Sequence, residues 1–101
     1  MSDLTRIEDG YYDRLSVRKA VTASTDLETF LGEALTNNDY GVMIMSDGTL
    51  HCSFDGTAAD ANNAQLPTVY TINNSKKFLD DVRLFSAVSQ NVSIILCTRV
   101  G

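Results

Sequence analysis

Residues 41–54 read GVMIMSDGTLHCSF: an apolar run, the pair Asp47-Gly48, then a second run alternating through Leu50, Cys52 and Phe54. Asp-Gly adopts a turn needing positive φ at little cost, so the β-rich runs on either side predict a β-hairpin. Two further runs follow, VRLFSAV (82–88) and VSIILCTRV (92–100), separated by the polar turn Ser89-Gln90-Asn91. Closely spaced short strands in this order point to a small β-sandwich.

The remainder agrees. Residues 15–21 put Leu15, Val17 and Val21 on one face of a first strand. Thr68–Ile72 is a short β-branched strand, and Phe78–Val88 reads as a strand placing Val82 and Leu84 on one face. Residues 25–35, TDLETFLGEAL, fit a short helix or irregular turn, with Ser24 or Thr25 as N-cap and Leu27, Phe30, Leu31 and Leu35 along one side. Gly32 would cost such a helix about 1 kcal/mol. About seven short strands with turns every 8–12 residues fit a sandwich, and no strand–helix alternation signals a parallel sheet. The expected fold is all-β: a small jelly-roll-like antiparallel β-sandwich with a short helical or irregular segment near 25–35. Residues 1–14, with a helical turn over 3–9 as an option, read as an N-terminal arm that orders only against the body or a neighbour. Residues 15–101 form the single domain.

Net charge is −5, and the eight lysines and arginines are scattered. Nucleic-acid binding draws its affinity from clustered cations, and an anionic membrane repels an acidic chain, so neither partner is expected. No apolar run approaches the ~20 residues of a membrane span. The first residues lack the apolar core of a signal peptide, so synthesis in a reducing cytoplasm is expected.

Chemistry is sparse. Cys52 and Cys97 lie on separate strands, as buried thiols or a cross-strand disulfide, and with the lone His51 they are too few for a zinc site. Cys52 and His51 are adjacent, hence on opposite faces of a strand. Asp80-Asp81 marks a solvated strand start. The loop 55–67, DGTAADANNAQLP, lacks the ligand spacing of a calcium loop. No catalytic residue, cofactor or metal is assigned, and an enzyme is not expected.

Apolar surface remains to be explained. Val92, Ile94 and Leu96 share one face of the last strand while Ile95 and Cys97 share the other; Val42 and Ile44 oppose Met43 and Met45 in the same way. A sandwich strand normally buries one face and wets the other. Either the arm and the 25–35 segment cover the second face, or another subunit does. Met43, Met45 and Ile95 are therefore candidate interface residues. Tyr11 and Tyr12 join them as arm anchors, because tyrosine brings contact area with a polar tip.

The stretches CSFDGTA (52–58), LPTVYTI (66–72), DVRLFSAVSQ (81–90) and NVSIILCT (91–98) resemble small β-sandwich virion proteins of tailed bacteriophages. The resemblance spans residues 40–99 and is carried at the level of fold. It implies a capsid decoration or cement protein on the virion surface, a homo-oligomer, commonly a trimer, bound to the major capsid protein or other virion proteins. A receptor- or carbohydrate-binding tail module and a head–tail neck component are the alternatives within the virion. A small inhibitor acting through its negative charge is a third class.

Overall fold

The computed structural model describes residues 6–8 and 11–99. In chain order these form β1 (Arg6–Glu8), β2 (Tyr11–Val21), β3 (Thr25–Asp26), α1 (Leu27–Leu31), β4 (Asp39–Ser46) and β5 (His51–Ser53). Then come β6 (Ala64–Gln65), β7 (Val69–Ile72), α2 (Lys76–Leu79), β8 (Arg83–Phe85) and β9 (Gln90–Arg99).

The strands lie in two antiparallel sheets, one ordered β1-β2-β9-β4-β7 and the other β3-β8-β5-β6. The partners nest: β5 with β6, β4 with β7, β3 with β8, β2 with β9. That is one long hairpin, folded back near residues 54–63 and rolled so that successive rungs fall in alternate sheets. The fold is a jelly roll, with β1 added at one edge.

Rolling explains the main departure from the sequence reading. Asp47-Gly48 is not a hairpin turn: β4 and β5 never pair, and the pair carries the chain from one sheet to the other. Positive φ occurs at Gly32, Gly41 and Gly56, not at Gly48. Ile44 and Leu50 are 1% and 0% exposed, so the strands before and after the crossing press on one interior from opposite sides.

Three smaller corrections have local causes. Residues 11–14 belong to β2, whose ladder with β9 runs from Tyr11↔Arg99 to Val21↔Gln90, so the sheet passes through the boundary expected at 14/15. Of the helical turn offered for 3–9, residues 6–8 are strand, and the rest lies outside the described residues. The stretch 78–88 opens as the end of α2, a short turn of helix, because Leu79 and Val82 reach the core at near-helical spacing; only Arg83–Phe85 is strand.

The 25–35 segment holds β3 and a five-residue helix, Leu27–Leu31. Its N-cap is Asp26, which accepts from the Thr29 N–H at 3.2 Å, and its end is Gly32, at φ 78. Gly32 therefore closes the helix instead of weakening its middle. Ser24 is used elsewhere, accepting from the Ala59 N–H at 2.9 Å. Leu27, Phe30, Leu31 and Leu35 join Val42, Ile44, Leu84, Val92, Ile94 and Leu96 in one core. The helix thus helps close the space between the sheets.

Candidate interface on the outer face of the five-stranded sheet

Val92, Ile94 and Leu96 of β9 are fully buried, so the alternate residues Ser93, Ile95 and Cys97 face outward. Register carries this parity across the sheet. Ser16, Ile95, Met43 and Thr71 form one outward row across β2, β9, β4 and β7; Arg18, Ser93, Met45 and Val69 form the next. Met43, Met45 and Ile95 are half-buried by these neighbours, and none packs against the interior core. Val69 is 58% exposed.

The outer face thus has an apolar centre on β9, β4 and β7, bordered by the Ser16, Ser93 and Thr71 hydroxyls. One ion pair lies on its rim: Arg18 Nη2 is 2.7 Å from Asp47 Oδ2 and donates from Nη1 to Ser93 Oγ at 3.1 Å. Both charged side chains are more than half exposed, so the pair adds little stability. It sets a polar boundary to the patch.

Of the five expected interface residues, Met43, Met45 and Ile95 come together. Tyr11 and Tyr12 do not join them; they pair with Arg99 and Thr98 at the far end of β2, beyond a bulge between Asp13 and Leu15. The expectation that the 25–35 segment covers the second face fails, because its apolar residues point into the interior. Val69 was missed: its place beside Met45 depends on the β4–β7 register, which alternation within a strand does not reveal.

The bulge serves a second purpose. Arg14, its extra residue, reaches Asp39 at the start of β4, donating from Nε to Oδ1 at 3.0 Å and from Nη2 to Oδ2 at 2.9 Å. The same carboxylate accepts from the Thr36 N–H at 2.7 Å, and its side chain is 0% exposed. Hydrogen bonding to Asp39 raises the Arg14 pKa above its ordinary value. A second register shift, between Asp39 and Val42, flanks β9 at the same level. The cluster ties β2, β4 and the 32–38 loop together, with every oxygen committed to a structural bond.

The other polar candidates are likewise occupied. His51 Nδ1 donates to the Asn63 carbonyl at 2.9 Å, and the ring lies against Phe85. Asp55 accepts from the Thr57 and Ser53 hydroxyls and the Thr57 N–H, which hold its pKa down at about 2. Asp60 and Asn63 close a turn in the loop before β6 by accepting from its own backbone N–H groups. Asp80 pairs with Lys76 at 2.8 Å, while Asp81 lies beside Gly56. Cys52 and Cys97 form no disulfide: one lies in the core, where burial pushes its thiol up to about 12, and the other is on the outer face. Among the described residues, no group of three or more His, Cys, Asp or Glu could hold a metal ion.

Comparison with protein-family models, with curated proteins and with solved structures finds no match to the chain.

Proposed function

We propose that this chain is a structural virion protein, a decoration or cement subunit that stabilises a phage capsid through surface contacts. The observation that carries the reading is the apolar outer face of the five-stranded sheet. Met43, Met45, Ile95 and Val69 lie on the side away from the core and outside its packed cluster. A face of this kind, with a polar rim, has the anatomy of a protein–protein contact. The jelly-roll architecture is one that capsid proteins share with lectins and cupins, and so supports the role without specifying it.

The test is co-sedimentation with capsids assembled from the major capsid protein encoded in the same genome. The chain is expected to pellet with them, and Met43→Glu with Met45→Glu to stay in the supernatant while keeping its circular-dichroism spectrum. A wild-type chain that ignores capsids, or a doubly charged variant that pellets as well as wild type, overturns the proposal.

A further inference from the structure

We propose that two copies of this chain join through the free edge of β7, strand against strand across a two-fold axis. The inference extends the assembling role above by naming where the chain meets itself; capsid attachment uses the outer face and is tested separately.

Among the described residues, β7 is the last strand of its sheet. The Ser46 N–H donates to the Thr68 carbonyl, which makes 46/68 a hydrogen-bonded rung. In an antiparallel ladder such rungs alternate, so Tyr70 and Ile72 also bond toward β4. The N–H and C=O groups of Val69 and Thr71 therefore point to the open side. Edge strands are normally guarded by charge, proline or a bulge. Pro67 precedes β7, but the strand itself, Val-Tyr-Thr-Ile, carries no guard.

The occupant follows from charge and symmetry. Residues 61–75, ANNAQLPTVYTINNS, contain no charged side chain in a chain of net charge −5. Copies repel one another elsewhere but meet here without opposing like charges, whereas a charged partner would find nothing to pair with. An antiparallel edge is also self-complementary about a two-fold axis. The strand allows one register using both outward residues twice: Val69 opposite Thr71 of the second copy, and Tyr70 opposite its counterpart. That register makes four backbone hydrogen bonds. Shifting it one way brings Pro67, which has no N–H, opposite Thr71; shifting it the other way needs Asn73, beyond the strand. Tyr70 packs inward against Phe54, with ring centroids 6.3 Å apart, so it does not obstruct the approach.

The experiment is sedimentation equilibrium across a concentration series for wild type, Thr71→Pro and Val69→Lys, with circular dichroism to verify folding. Wild type is expected to approach twice the 11.0 kDa chain mass. Thr71→Pro removes two of the four bonds without touching the β4 ladder, raising the dissociation constant about tenfold or more. Val69→Lys sets two like charges diagonally across the axis, about 7–8 Å apart, and weakens pairing too. A single-chain mass at the highest soluble concentration overturns the inference. So does a two-chain mass unmoved by either variant, or a three-chain mass, since this axis closes at two. Loss of capsid pelleting with the pair intact would overturn the cement reading alone.

Discussion

Replacing Asp39 with alanine deletes a carboxylate that is wholly enclosed and accepts three hydrogen bonds, two from Arg14 and one from the Thr36 N–H. Removing one partner of a buried ion pair typically costs about 3–5 kcal/mol, because the surviving charge keeps its desolvation penalty. Here the Arg14 side chain is 25% exposed and retains Glu33 at 3.2 Å, so it recovers part of the loss from water and from that neighbour. The expected cost therefore sits at the low end, about 3 kcal/mol. For a domain near 100 residues that lowers the melting temperature by about 12–24 °C.

Glu33→Ala is the internal control. Its carboxylate touches the same guanidinium but is 55% exposed, so its loss should cost no more than about 1 kcal/mol. Urea titration of both variants and wild type, repeated in high salt, separates the two cases, because screening acts on the exposed pair and spares the enclosed one. A double variant with Arg14→Met should cost less than the sum of the single changes. If Asp39→Ala shifts stability by under about 1 kcal/mol, or no more than Glu33→Ala, the cluster does not pin this end of the sandwich. The ladder between β2 and β9 would then hold it alone.

Gly41, at φ 148, would aim a Cβ to within 2.5 Å of the Ile72 carbonyl oxygen, so Gly41→Ala should cost about 2 kcal/mol or more in a thermal melt. Gly48→Ala meets only the flexible end of Gln90 and has no positive φ to strain, so it should cost under about 1 kcal/mol; a larger loss would show that the crossing between the sheets needs a backbone conformation only glycine adopts. Asp55 has its pKa lowered from 3.8 to about 2, so its contribution to stability is present above pH 4 and lost as pH falls toward 2. Acid titration of Asp55→Asn should show a shallower slope in that window. Under native conditions a thiol reagent should modify Cys97, while Cys52, 2% exposed and with a raised pKa, reacts only after denaturant is added. Equal native rates would contradict the placement of the two residues.

What was legible in the sequence was what depends on neighbours a few residues apart. Period-two alternation located β2 from residue 15 onward, β4 and β9, and separated Ile44 from Met43 and Ile94 from Ile95; β-branched composition located β7. Illegible was whatever a distant segment decides. Asp47-Gly48 has the chemistry of a hairpin turn, yet β4 pairs with β7 and β9, and the sequence around the turn does not encode those partners. Phe78–Val88 holds enough β-formers to read as a strand, but Leu79 and Val82 both enter the core, the first from the end of α2 and the second from the turn that follows it. Arg14 and Asp39 stand 25 residues apart without any local pattern joining them.

The rolled hairpin also bears on why the outer face has the residues it has. The β2–β9 rung joins the two ends of an eight-strand hairpin, so the sheet carrying Ile95 and Met43 is completed by the contacts most remote in sequence. Such topologies fold slowly and leave strands exposed meanwhile. Apolar residues on the second face add to that hazard, and stability does not require them, since Val92, Ile94 and Leu96 already fill the interior at 0% exposure. Ser16, Ser93 and Thr71 in the same outward rows show that hydroxyl-bearing residues are compatible with these positions. A fold that carries Met43, Met45, Ile95 and Val69 there bears a liability that a covering surface would remove. This second apolar face, more than the strand order, is what supports the proposed assembling role.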